Sequence, residues 1–227
     1  MPVPYVPPGT LEPAFRRASA YRLGRRHALR LSAAALIAVF GAAQAAVTEA
    51  TPCRDPHRAP PAACTVTVTG KITARDPLTL AGILHRMDLG KTLLLVRFDS
   101  GGGDAHAAMA LGRALRAAAA HGYVPPRRRC FSACVLALAG AATRAVHGRV
   151  GIHRPQPIAA PALFPAGAPK RDDSAREIRG YLVEMQVSAS LYDAMVKVPP
   201  KDMRILTPSE LRSYGLLRDD PRPGARE

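Results

Sequence analysis

From about residue 65 onward, the pattern of apolar and polar positions divides the chain into strands and helices. Thr65-Val66-Thr67-Val68-Thr69 alternates β-branched residues and stops at Gly70, the period-two pattern of a strand with one buried face. Leu80, Ile83, Leu84 and Met87 recur at helical spacing and predict a helix over 78–87. Leu93 to Phe98 is a nearly continuous apolar run, the signature of a buried parallel strand, and it ends at Asp99-Ser100-Gly101-Gly102-Gly103. An alanine-rich helix is predicted over 105–120, with Met109, Leu111 and Leu115 as its larger apolar residues and His121-Gly122 as its end. Tyr123-Val124-Pro125 reads as a short strand, 132–138 as a buried helix, and 149–152 as a short strand ending at His153. After a proline- and alanine-rich loop from Pro155 to Pro169, Ile178, Leu182, Met185 and Leu191 predict a helix over 174–195. Leu206-Thr207-Pro208-Ser209-Glu210 carries an N-cap signal for a last short helix ending at Gly215. Strands alternating with helices predict an α/β fold with a mostly parallel sheet. No internal sequence repeat accompanies it.

The N-terminal part follows different rules. Arg22, Arg25, Arg26 and Arg30 precede an apolar run from Leu31 to Ala43, and Ala43-Gln44-Ala45 supplies a small-x-small cleavage pattern. This reads as a secretory signal over 22–45, too short to span a bilayer as a transmembrane helix. Residues 1–21 are an extension ahead of it, either disordered or a misassigned start. Residues 46–64 read as a proline-rich linker, 65–218 as the folded domain, and 219–227 as a disordered tail. The expected location is periplasmic or secreted, with membrane contact only if the signal stays uncleaved. Cys53, Cys64, Cys130 and Cys134 all follow the signal. An even number in an exported chain reads as two disulfides, with three connectivities open. Zinc is the weaker alternative, because no CxxC pair or paired histidines accompany them; no metal or cofactor is expected.

The formal charge is +15 over 227 residues. Residues 1–45 contribute six arginines against Glu12 alone, which leaves an excess of +10 spread over the rest. Arg127-Arg128-Arg129 is the only tight cluster. No aromatic-interleaved basic stripe or nucleic-acid motif is present, so the excess reads as a solvated basic surface and no nucleic-acid partner is expected.

Three features fall at strand ends or strand-to-helix turns, where α/β proteins place their sites. Ser100-Gly101-Gly102-Gly103 lets backbone N–H groups approach a substrate closely, as an oxyanion hole requires. It is neither a dinucleotide fingerprint nor a P-loop. Cys130-Phe131-Ser132-Ala133-Cys134 sets a serine among small residues at a helix start, where free N–H groups favour developing negative charge. Taken alone, this pentapeptide reads Ser132 as only a helix N-cap. Gly151-Ile152-His153-Arg154-Pro155 puts a histidine at a strand end, and histidine is the usual base for a serine nucleophile.

Taken in order, Ser100 to Gly103, Ser132 before a helix, and His153 in an Ile-His-x-Pro context resemble the ClpP/crotonase-like superfamily, and within it exported bacterial Clp-protease-like proteins. Leu206-Thr207-Pro208-Ser209-Glu210-Leu211 followed by Tyr214-Gly215-Leu216 resembles that family's closing helix. The resemblance runs from about Val66 to Leu217. It implies repeated ββα units with a mostly parallel sheet flanked by helices. It also implies a serine hydrolase, most simply a peptidase, with a peptide or protein substrate and a capacity for homo-oligomer formation. Ser132 would be the nucleophile, His153 its general base, and Gly102 and Ala133 the oxyanion donors. The sequence departs at the third catalytic position, where Met203 stands; Asp202, one residue earlier, or a backbone carbonyl would then orient His153. Gly101 replaces the family's usual proline. The alternative is a non-catalytic binding or assembly protein on the same fold. A crotonase-type acyl-thioester activity ranks last, because acyl-CoA is cytoplasmic.

Overall fold

In the computed structural model, which describes residues 46–51, 63–156 and 171–218, the elements run β1 (Val47–Glu49), β2 (Ala63–Ile72), α1 (Asp76–Arg86), β3 (Leu93–Gly103), α2 (Ala105–Ala117), β4 (His121–Val124), β5 (Arg129–Phe131), α3 (Cys134–Gly140), β6 (Thr143–Val146), β7 (Arg149–Ile152), α4 (Arg171–Glu184), α5 (Ser190–Val196), β8 (Arg204–Ile205) and α6 (Pro208–Ser213). The described residues belong to one unit, Gly41–Glu227. The signal segment, Cys53, most of the 155–169 loop and the tail from 219 lie outside the described residues. No helix among the described residues is long and apolar enough to cross a membrane.

The sheet has the order β1-β2-β3-β5-β7-β8, with β4 beside β3 and β6 beside β4. Among the described strands, only β1 and β8, the outermost, pair antiparallel with their neighbours; the other strand pairings are parallel. Parallel neighbours need a crossover, and α1 and α2 supply it between β2, β3 and β4. Later, β4 and β5 lie end to end along β3, and β6 and β7 lie end to end along them. The orders β4-β5-α3 and β6-β7-α4 are therefore two successive ββα units.

The strands obey their alternation. Val66 and Val68 are buried while Thr65 and Thr67 face outward. In β3, Leu94, Val96 and Phe98 enter the core, each contributing roughly 1.5–3 kcal/mol on burial. Leu93 and Leu95 remain 41% and 38% exposed, so the apolar run is not a strand buried on both faces. On the outward side farther along the sheet, Arg129 and Arg149 are direct partners across β5 and β7, and both guanidinium groups lie over the Phe131 ring. Part of the basic excess is thus held on an aromatic ring.

Three contacts fix α3, the helix that follows Ser132. Gly140 and Gly112 let α3 and α2 touch backbone to backbone, where a Cβ on Gly140 would collide with Gly112. Tyr181 Oη, from α4, donates to the Leu136 carbonyl at 2.7 Å. Arg144, almost wholly buried, donates to the Ala139 and Ala141 carbonyls at the helix C-terminus and to Gly215. Its burial pushes its pKa down to about 10, and the three carbonyls compensate part of that desolvation.

Two of the departures from the expected helix ends share one cause, a left-handed residue. The helix predicted to Ala120 ends at Ala117, because Ala119 turns left-handed (φ 49°) and Ala120 N–H returns to the Leu115 carbonyl. The helix predicted over 174–195 is two helices. It breaks at Gln186 (φ 55°), where Val187 N–H bonds Leu182 O and Gln186 N–H bonds Val183 O. This is a Schellman ending, usually built on glycine. Since the left-handed conformation costs a non-glycine residue about 1–2 kcal/mol, Ala119→Gly is expected to raise stability by about 1 kcal/mol in urea unfolding.

Candidate active site

Ser132 stands between the last residue of β5 and the start of α3, and it makes the turn alone. Its φ is 57°, left-handed and unfavourable for serine by about 1–2 kcal/mol. Phe131 before it is in the strand, and Ala133 after it is already helical (φ −57°, ψ −23°). The turn is held by the Ser132 N–H, which donates to the Gly151 carbonyl at 2.9 Å. The helix N-cap is Ala133, with no side-chain cap, so Ser132 is not spent on capping. Its hydroxyl has no hydrogen-bond partner among the described residues. Backbone strain at a polar residue on a strand-to-helix turn is a feature of nucleophile sites.

The glycine segment runs directly under this turn and is the end of β3, not a loop. Gly102 (φ 99°) sits so close that a Cβ on it would lie 2.7 Å from Ser132 Cβ, 2.7 Å from the Phe131 carbonyl oxygen and 2.9 Å from Ala133 N. Ser100, fully buried, organises the segment: its Oγ donates to Gly70 O at 2.7 Å and accepts from Gly102 N–H at 3.0 Å. Gly102 N–H, expected as an oxyanion donor, is therefore already committed to Ser100. Gly103, one residue on, lines the cavity instead. A Cβ there would run into the Ile72 backbone. Ala133 N–H donates to no acceptor among the described residues.

Gly103, Ala105, Ser132, Ala133, Leu136, His153, Pro155, Gln156 and Met195 enclose a cavity of about 100 Å³. Ser132 and His153 thus face one space, without a direct hydrogen bond between them. His153 Nδ1 lies 2.9 Å from the Arg154 carbonyl oxygen. A carbonyl can only accept, so Nδ1 is the donor, and in the neutral imidazole the lone pair falls on Nε2. Arg154 is itself fixed: its N–H donates to Val198 O at 2.9 Å and its Nε–H to Val196 O at 2.8 Å. The histidine is oriented by a backbone carbonyl on an anchored residue.

Asp202 lies on an exposed turn after α5, its N–H bonded to Pro199 O, with no side-chain partner among the described residues. Met203 packs on Gly151, where its Sδ would lie 2.8 Å from an added Cβ. Cys130 and Cys134 are joined by a disulfide that brackets Ser132. Cys64 is also disulfide-bonded.

A mostly parallel sheet built from ββα units, with a strand-end glycine segment beneath a serine turn, defines a ClpP-like α/β fold. Among solved structures, the chain is similar to ClpP1 from Listeria monocytogenes, at 16% identity and a TM-score of 0.52 over 67% of this chain and 88% of that one. It also matches a serine-to-alanine mutant of the 1510-N membrane-bound stomatin-specific protease, at 17% identity and a TM-score of 0.49 over 66% of this chain and 75% of that one. No family model matches the sequence, and no curated protein matches it either.

Proposed function

We propose that this protein is an exported serine hydrolase, a peptidase in the simplest case, using Ser132 as nucleophile and His153 as general base. The observation that carries the reading is the left-handed, uncapped Ser132 in one cavity with a histidine whose Nδ1 is committed to a carbonyl. Ser132 Oγ attacks the substrate carbonyl as His153 Nε2 takes the hydroxyl proton, and the same imidazole returns it to the leaving group. The oxyanion is held by Ala133 N–H together with Gly103 N–H, since Gly102 N–H serves Ser100. The Arg154 carbonyl does the orienting work of the missing carboxylate. A neutral carbonyl stabilises the imidazolium less than an aspartate, so a slow enzyme is expected. The signal over 22–45 and the cysteine content support export, and a peptide substrate and self-association belong to the same reading.

The competing reading is a non-catalytic binding or assembly protein on this fold, and Met203 packed beside Gly151 in place of an acid favours it. Hydrolysis of an activated ester and of a mixed peptide substrate separates the two. On the catalytic reading, wild type turns over at least one of them, and His153→Ala lowers the rate by about 10²–10⁴-fold. Asp202→Asn is expected to stay within about twofold of wild type, because orientation comes from Arg154. A hundredfold loss in Asp202→Asn would return the third role to that carboxylate. Wild type with no turnover of either substrate would favour the non-catalytic protein.

A further inference from the structure

We propose that the Cys130–Cys134 disulfide is a positioning device that holds Ser132 in its left-handed, attack-ready conformation. The inference rests on Ser132 being the nucleophile and goes beyond it. The bridge joins residues four apart with their Cα atoms 5.2 Å from each other. Four steps of extended strand would separate them by about 13 Å. The bridge therefore forbids β5 from running on and requires a reversal between its ends. Within that interval only Ser132 departs from ordinary strand or helix geometry, so the whole reversal falls on the nucleophile.

Two further restraints act on the turn, the Ser132 N–H bond to Gly151 O and the close approach of Gly102. They remain when the bridge is absent, so the fold should survive. What changes is the freedom of Ser132 to relax to a right-handed or extended φ, which moves Oγ relative to His153 and to the oxyanion donors. A displacement near 1 Å at a reacting group can cost about a hundredfold in rate. Global stabilisation is not the main effect, because so short a ring constrains the unfolded chain least. Both cysteines are 0% exposed, so the pair does not offer an accessible thiol. Their service is local.

The test compares wild type with Cys130→Ala/Cys134→Ala and, as a control, Cys53→Ala/Cys64→Ala, which removes the other two cysteines. A fluorophosphonate is used under saturation kinetics, together with amide hydrogen exchange of the 131–135 peptide. The expected result for the bridge variant is a limiting inactivation rate at least tenfold lower. Its half-saturating probe concentration should stay within about threefold, and exchange at 131–135 should be faster. The control should keep the wild-type rate. If the bridge variant does not fold, Cys130→Val/Cys134→Ala, which keeps the buried volume at residue 130, serves in its place. Equal inactivation rates and equal exchange with and without the bridge would overturn the proposal. If oxidised wild type does not react at all, the nucleophile reading falls. Exchange at 131–135 then decides whether the bridge holds the turn.

Discussion

Ser132→Ala is expected to remove acyl transfer altogether, a loss on the order of 10⁴–10⁶-fold in kcat, with the melting temperature within a few degrees of wild type. The size follows from the chemistry: without Oγ no covalent intermediate forms, and only substrate binding and the oxyanion donors can act on water. The unchanged stability follows from the structure. Ser132 Oγ makes no hydrogen bond among the described residues and does not cap α3, so alanine loses no partner. Alanine also keeps the left-handed φ at a similar cost. Turnover of a chromogenic ester alongside thermal unfolding checks both halves. A large fall in stability with partial loss of activity would mean that the hydroxyl is structural.

Gly102→Ala is the second large effect, and it acts on both rate and stability. The new Cβ would need to occupy space 2.7 Å from Ser132 Cβ and from the Phe131 carbonyl oxygen, and the backbone would remain at φ 99°. These neighbours are main chain and the Cβ of Ser132 on a tight turn, so there is no flexible side-chain end to give way. Overpacking of this kind costs about 1–3 kcal/mol or more, and the unfavourable φ adds to it. Displacement of the Ser132 turn is expected to cut ester turnover at least a hundredfold. Soluble Gly102→Ala protein with wild-type turnover would show that the glycine segment does not set the position of Ser132.

The main strands and helices were legible where side-chain periodicity alone decides them. Thr65 to Thr69, Leu93 to Phe98 and Arg149 to Ile152 declare themselves by pattern, and the last helix by its Thr207 to Glu210 capping box and Gly215 end. Less legible were elements defined by a partner strand. The three-residue β1 and β5 and the four-residue β6 exist through their ladders, and their sequences carry no run long enough to show it. Left-handed helix ends at Ala119 and Gln186 were hidden because alanine and glutamine are good helix formers. The exposure of Leu93 and Leu95 is likewise set by what fails to cover the outer face among the described residues.

At the candidate site, residue types and their order were enough to single out Ser132, Ala133 and His153, which line one cavity. The hydrogen-bond bookkeeping was not readable. That Gly102 N–H goes to Ser100, leaving Gly103 against the cavity, depends on a bulge between β2 and β3 at Gly70/Lys71 that spacing does not encode. The Arg154 carbonyl belongs to the backbone, which has no sequence signature at all. The serine ahead of the glycine run, Ser100, is visible in the sequence, but its burial and its bond to Gly102 N–H are not.

The central claim is that Ser132 is a nucleophile, and the most direct measurement is the mass and position of a fluorophosphonate adduct on oxidised wild-type protein. Attack by Ser132 Oγ on phosphorus expels fluoride and leaves one phosphonyl group per chain. The account predicts a single adduct, mapped by peptide sequencing to Ser132, slowed in His153→Ala and absent in Ser132→Ala. Folded, disulfide-intact wild type that takes up no probe, or takes it up at another residue, would contradict it.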